Sequence, residues 1–348
     1  FTPEYDSKYI TSLLTNAKLI RRIEGVFADM RKDAAKSVRG RSEQVRFLKQ
    51  LTIAPEFMTF INENYQSDDE AYNRVLASAT RIMNGDIFYT IDSTSGRFHS
   101  NVTNCPKGFR PYLRVNGEPL INIDVKNCQP YLSTIILTDP LKASTFAENP
   151  AFAMVLQTLK VSHQQDVKTY ISLVINGTFY EYLMSEFASE GLHLDRSETK
   201  RQVLRILFAR NRTPKDPTNR KARDIFKLRF PTVHRIFSKV RGSNRGDKFT
   251  SFKRFAILLQ RIESYLMLDV VLKRIYRELP DVVAITIHDS IMTGVMTNNV
   301  EAVKTILIEE MTNFVGFRPN VTLEGIIEKE REKRRGKERV EGESIVIR

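Results

Sequence analysis

The stretch that most constrains this chain is Asp281-Val-Val-Ala-Ile-Thr-Ile-His-Asp-Ser-Ile-Met-Thr-Gly-Val-Met296. Two apolar, β-branched runs flank a tight turn of His288, Asp289 and Ser290, which predicts a β-hairpin. Turns favour Asp, but with Gly or Asn beside it rather than His in front of it. Folding alone gives little reason to hold a carboxylate at the tip of a buried strand pair. A hairpin of this kind can present Asp289 as a ligand, which directs attention to a second carboxylate on another strand.

Asp124 is that second carboxylate. Pro119-Leu-Ile-Asn-Ile-Asp124 is short, rich in Ile and Leu, and follows the turn signal Val115-Asn-Gly-Glu118, so it reads as a strand with Asp124 near its C-terminal end. Two Asp residues on adjacent strands suit a hard cation, because Mg²⁺ takes oxygen ligands from one or two carboxylates plus substrate phosphates. Two Mg²⁺ ions roughly 3.5–4 Å apart would serve nucleotidyl transfer, one activating the attacking hydroxyl and one holding the triphosphate. The plainer alternative is a pair of unrelated strand-end carboxylates.

The segment Asp195-Arg-Ser-Glu-Thr-Lys-Arg-Gln-Val-Leu-Arg-Ile-Leu-Phe-Ala209 opens with Asp195 and Glu198 in capping-box spacing. Arg196, Lys200, Leu204 and Phe208 follow at intervals of four and predict a shared helical stripe. Two cations suit a triphosphate, and the two apolar residues suit a base and sugar beyond it. An amphipathic helix with a solvated basic end is the bland reading of the same pattern.

Taken in order, these segments resemble the family A DNA polymerases and their relatives, the phage-type and mitochondrial single-subunit RNA polymerases. Asp124-Val-Lys-Asn-Cys-Gln-Pro130 is similar to motif A, the 195–209 helix to motif B, and Ile287-His-Asp-Ser290 to motif C. Thr94-Ser-Gly-Arg-Phe-His-Ser100 with Asn104-Cys-Pro106 resembles the family's duplex-contacting Thr-Gly-Arg segment. Phe255-Ala-Ile-Leu-Leu-Gln-Arg-Ile-Glu263 resembles the helix whose Gln touches the primer terminus. The five segments keep the family order across roughly residues 88–326.

The resemblance implies an α+β right-hand fold: an antiparallel palm sheet, helical fingers and a helical thumb-like region. It implies two Mg²⁺ ions, with Mn²⁺ as a substitute, held by Asp124, Asp289 and the backbone carbonyl of Val125. Lys200 and Arg196 would hold the triphosphate, and Leu204, Phe208 and Gln129 would line the base and sugar pocket. Arg97, Gln260 and His288 would address the primer–template end. The implied activity is template-directed primer extension on DNA, with nucleoside triphosphates as substrates and RNA also possible as a strand.

Two positions depart from the DNA polymerase pattern. Gln129 stands where a Glu usually excludes the ribose 2′-hydroxyl, and its amide can donate a hydrogen bond. Phe208 stands where a Tyr closes motif B. Together they predict weakened discrimination between dNTPs and rNTPs, with Gln129→Glu sharpening it.

The chain has 348 residues, of which 41% are hydrophobic, enough for a substantial core. Its 54 Lys and Arg against 41 Asp and Glu give a net charge of +13, which favours a polyanionic partner, although a solvated basic surface has the same composition. No apolar run reaches the length of a membrane span. Cys105 and Cys128 are too few for a disulfide framework and suggest reduced thiols in a cytoplasmic compartment, with an organelle left open.

The expected layout is a basic helical thumb-like region over 1–85, palm over 86–135, fingers over 136–249, palm again over 250–326 and a charged tail over 327–348. Arg210 to Lys221, with two prolines and five cations, reads as a loop near nucleic acid. No exonuclease constellation is visible, which fits replication or repair in a phage, plasmid or mobile element. Single-subunit RNA polymerase, primase-like or untemplated transfer, and a catalytically inactive nucleic-acid-binding homologue are the rival readings.

Overall fold

The computed structural model describes residues 42–65, 70–161, 163–242, 253–295 and 299–325. Helices α1 (Ser42–Lys49), α2 (Phe57–Asn64) and α3 (Glu70–Met83) surround a short strand, β1 (Leu51–Ile53). A two-stranded ribbon of β2 (Tyr89–Ile91) and β3 (Phe98–Ser100) leads into the short helix α4 (Asn101–Asn104) and a 3₁₀ stretch, Lys107–Tyr112. Strands β4 (Leu113–Val115) and β5 (Glu118–Val125) precede α5 (Cys128–Thr138), α6 (Pro140–Ser144), α7 (Pro150–Gln157), α8 (Gln165–Ile175) and α9 (Phe179–Ser189). Helices α10 (Arg196–Phe208), α11 (Pro217–Arg229), α12 (Pro231–Arg241) and α13 (Arg254–Ser264) follow. A π-helical turn, Tyr265–Val271, joins α13 to α14 (Leu272–Glu278). The hairpin β6 (Ala284–Ile287) and β7 (Ser290–Gly294), helix α15 (Val300–Val315) and β8 (Val321–Gly325) complete the described chain.

The main sheet runs β1-β4-β5-β7-β6, with β8 also paired to β5, and every pairing is antiparallel. Mixed helices over an antiparallel sheet make this an α+β architecture. The β4–β5 turn is Asn116-Gly117, both with positive φ, the backbone that makes Asn-Gly the preferred two-residue hairpin turn. Strand β5 alternates: Ile121, Ile123 and Val125 are buried, whereas Asn122 and Asp124 are half-buried on the opposite face. That period of two turns the Asp124 carboxylate away from the core and onto an open face. Strands β6 and β7 are buried throughout, with Thr286, Ser290 and Thr293 the buried polar residues among their apolar ones.

Helix α5 is buried nearly all round, and it packs against α6, α8, α13 and α15. Asp124 and the start of α5 are therefore anchored to the same core.

Three local features differ from the sequence expectations. The N-terminal region was read as helical, yet β1 joins the main sheet beside β4; three residues are too few to show a periodicity. The Arg210–Lys221 loop ends early, because Asp216 accepts a hydrogen bond from Asn219 N at 2.7 Å and Pro217 opens α11. Proline was read there as a breaker, but at the first helical position its missing N–H is harmless. Within the expected fingers region the chain breaks at Phe230, where Pro231 begins a new helix. Residues 1–41 of the expected thumb-like region and the tail over 327–348 lie outside the described residues. Among the described residues, no helix is long and apolar enough to cross a membrane.

Candidate active site

One cavity of about 630 Å³ collects side chains from three of the five segments, those around Asp124, along the 195–209 helix and at the His288-Asp289 turn. The sheet supplies Asn122 and Asp124 from β5, and Thr322 and Glu324 from β8. The β6–β7 turn supplies His288 and Asp289, and α10 faces them with Arg196, Lys200 and Leu204. Val125 and Gln129 line the same space. The register explains the meeting. Asp124 lies opposite Ser290 on β7 and opposite Thr322 on β8, so Asp289 is one residue from cross-strand register with Asp124. The Val125 amide also donates to the Asp289 carbonyl at 3.4 Å.

The turn that presents Asp289 is tight: Ile287 pairs directly with Ser290. His288 takes a φ of 54°, in the left-handed region, a conformation that is uncommon for a residue with a Cβ and costs on the order of 1 kcal/mol. Burial, with Arg97, His99 and Arg110 nearby, drives the His288 imidazole down to about 4, so it is neutral at physiological pH. Its ring meets that of His99 edge-on at 5.7 Å, and its buried Nδ1 has no hydrogen-bond partner among the described residues.

The carboxylates repel one another. Burial pushes the Asp124 carboxyl up to about 7, and Asp289 and Glu324 push it in the same direction, against the pull of Lys200 and Lys107. Asp289 is also raised, by burial above all, with Lys200, Arg97 and Arg110 opposing. A hard dication is the natural partner for such a donor set, since it would relieve both the burial and the repulsion. The described residues contain no group of three or more His, Cys, Asp or Glu side chains that could hold a metal by themselves. Two carboxylates with a backbone carbonyl still match the sparse protein ligation typical of Mg²⁺.

Helix α10 starts as its sequence requires. Asp195 Oδ1 accepts from Glu198 N at 2.7 Å, and Glu198 Oε2 accepts from Asp195 N at 3.2 Å. Arg196 also pairs with Glu181 at 2.7 Å and lies over the Tyr180 ring at 5.6 Å. Three of the four stripe residues line the cavity, but Phe208 does not. Each step of four residues advances about 40° around a helix, so after three steps the side chain has turned about 120°. Phe208 instead packs edge-on against Phe255, with ring centroids 5.9 Å apart.

Arg97 and Gln260 do not line the cavity either. Arg97 Nη2 lies 2.7 Å from Glu263 Oε1, and its Nε donates to the same oxygen at 2.8 Å. Glu263 is 1% exposed, and Gln129 Nε2 donates to its other oxygen. Burial carries Glu263 up to about 7, while Arg97 pulls it back. The amide donor expected to face a sugar hydroxyl is therefore committed to Glu263, and Gln129 Oε1 is left buried without a partner. Gln260 is half-buried on α13.

Sequence reasoning missed Glu324, Lys107, Arg110 and Tyr180, all of which line the cavity. Glu324 had a legible signal: in Val321-Thr-Leu-Glu324 it stands two residues from Thr322, and on a strand that places both on the same face. Lys107 pairs with it at 2.8 Å. Tyr180 carried no sequence signal beyond an amphipathic helix.

No family model and no curated protein matches this chain. Among solved structures the chain is similar to the POL domain of Pol1 from M. smegmatis, in complex with DNA primer-template and dNTP. The two are 14% identical with a TM-score of 0.35, and the match covers 87% of this chain and 65% of that one. The chain thus spans just under two thirds of the length of that POL domain.

Proposed function

We propose that this protein transfers nucleotidyl groups from nucleoside triphosphates to a primer terminus on a nucleic-acid template, with DNA synthesis as the main activity. The observation that carries the reading is the placement of Asp124 and Asp289 on one wall of a cavity with Arg196 and Lys200 on another. An acidic wall facing a basic one suits a substrate whose triphosphate lies between a cation site and a cationic helix.

Asp124, Asp289 and the Val125 carbonyl would hold divalent metal, with Mg²⁺ the best match to an all-oxygen set. Bound metal would lower the barrier by stabilising charge on the attacking and leaving oxygens. Lys200 and Arg196 orient the triphosphate and neutralise it as charge develops. Leu204 supplies an apolar surface for the nucleoside. Neutral His288 sits where a primer end would meet Asp289 and withholds positive charge from that point. Arg97, through Glu263, holds Gln129 at the cavity wall.

The sugar reading changes with that orientation. With its amide held by Glu263, Gln129 offers neutral bulk at the cavity wall in place of a carboxylate, which excludes a ribose hydroxyl less strongly. Ribonucleotides are then tolerated beside deoxyribonucleotides. Offering dNTPs and rNTPs separately, with and without template, and sequencing the products tests the whole proposal. Templated extension lost in Asp124→Asn and Asp289→Asn supports it. Tight duplex binding with no incorporation in Mg²⁺ or Mn²⁺ overturns it in favour of a nucleic-acid-binding protein.

A further inference from the structure

Lys126 lines the Asp124–Asp289 cavity together with Arg196 and Lys200, although it follows strand β5 rather than lying on α10. Its backbone is fixed. The Lys126 amide donates to the Asn320 carbonyl at 2.8 Å, which carries the β5–β8 register one residue beyond the Val125–Val321 pair. The period of two therefore keeps Lys126 on the face of Asp124. Its charge is felt elsewhere. The cations that act most on Asp124 are Lys200 and Lys107, whereas Lys126 acts on Glu181.

Glu181 is in the first turn of α9, and its Oε1 accepts from Arg196 Nε at 2.7 Å. Burial pushes its carboxyl up. The Arg196 hydrogen bond, a backbone hydrogen bond and the charges of Arg196 and Lys126 outweigh that, and leave it below the usual carboxylate range. Two cations of one cavity wall thus act on a single anion that belongs to the protein. Both side chains of the Arg196–Glu181 pair are about half exposed, at 55% and 45%, so the pair is weakly held and a more highly charged anion can exchange for it.

The order of the cations says which anion. Lys200 acts on both aspartates, whereas the partners of Arg196 are Glu181 and the Tyr180 ring. Arg196 is four residues before Lys200, about 6 Å along the helix axis. A triphosphate anchored at the carboxylates passes Lys200 first and ends at Arg196 and Lys126.

We propose that Lys126 and Arg196 together hold the terminal phosphate of the nucleoside triphosphate, and that Glu181 is its internal stand-in, keeping Arg196 in the empty site and yielding it when the phosphate arrives. The orientation of the triphosphate rests on the nucleotidyl-transfer reading; the competition between Glu181 and a polyphosphate for Arg196 does not.

The test uses the full chain with Mg²⁺ and no primer–template, so that binding is read without turnover. Inorganic triphosphate, dTTP and dTMP are titrated by calorimetry. Glu181→Gln should tighten inorganic triphosphate and dTTP by about threefold, the scale of one exposed ion pair. Lys126→Gln should weaken both by about tenfold, the scale of one charge-assisted hydrogen bond, and Lys126→Arg should restore most of the loss. The dTMP affinity should respond to neither variant, because its single phosphate stops short of the pair. The sign of the Glu181→Gln effect separates competition from support: a carboxylate that only braced α9 against α10 would weaken binding and lower the Tm when removed. Thermal melting checks folding, and Glu181→Ala is a second probe of the same lost charge. Unchanged or weaker triphosphate binding in both Glu181 variants overturns the competition. Unchanged binding in Lys126→Gln, or a loss shared by dTMP, overturns the terminal-phosphate assignment. The expected pattern in a protein that extends no primer sinks the polymerase reading and leaves the phosphate site intact.

Discussion

Asp124 and Glu263 are both carboxylates raised to about 7 by burial, yet their surroundings are opposite. Glu263 is the more enclosed and is answered from inside the protein: Arg97 contacts one oxygen and Gln129 the other. Asp124 is on an open face where its nearest carboxylate neighbours, Asp289 and Glu324, repel it. Depth of burial therefore does not separate a structural carboxylate from a site carboxylate. The sign of the neighbours does. A carboxylate set among like charges in a cavity suits a cation from solution, whereas one already paired inside the protein holds its partners in place.

The contrast predicts divergent mutants. Asp124→Asn should lower primer extension by on the order of 10³-fold or more, since it removes charge where the transition state needs it. Melting should show the variant folded; an active Asp124→Asn would break the comparison at once. Glu263→Ala should act mainly on stability, by about 3 kcal/mol, because it leaves Arg97 and the Gln129 amide without their acceptor. Denaturant titration measures it, and a loss of activity without a loss of stability would move Glu263 into the site group. Gln129→Glu sets a second carboxylate against Glu263, so it should cost about 1–2 kcal/mol at pH 8 and less at pH 5, where the pair can share a proton. That cost works against the sharper dNTP selection expected from sequence, and kcat/KM ratios for dNTP and rNTP decide which effect prevails.

The smallest effect is a pH dependence. The Asp124 pKa rises from 3.8 unfolded to about 7 folded. Ionisation is therefore disfavoured by folding: stability is full below about pH 4 and is lost as pH rises through about 7, by about 1–2 kcal/mol after screening from the open side. Mg²⁺ should recover it, raising the Tm more at pH 8 than at pH 5. In Asp124→Asn the recovery should vanish, and the metal-free variant should be more stable than the parent at pH 8.

Much of this site is visible in the linear chain because its parts obey local rules. Asn116-Gly117 dictates a hairpin turn, the alternation of Ile121, Ile123 and Val125 sets the face of Asp124, and Asp195 with Glu198 fixes where α10 begins. Phe208 was misplaced because a stripe of four-residue steps drifts around a 3.6-residue helix. The Glu263 contacts were invisible for another reason. They join residues separated by 134 and 166 positions, and no periodicity encodes such a meeting. The strand β1 fell below the length at which a pattern exists, and Pro217 was read by its commoner role.

The two site aspartates also differ in what holds their backbone. Residues 121–124 of β5 are paired on both edges, to β7 and to β8. The hairpin bearing Asp289 ends at the sheet margin in β6, where the Thr286 amide is closed off by a side chain, Gln44 Oε1, at 2.7 Å. Local opening begins where fewest backbone bonds must break. Warming should therefore loosen the Asp289 arm while the β5 arm stays shut, with amides of 284–287 exchanging their hydrogens ahead of those of 121–124. Inactivation would then run several degrees below the loss of helical signal, as a site that comes apart from one side while the rest of the molecule is still folded.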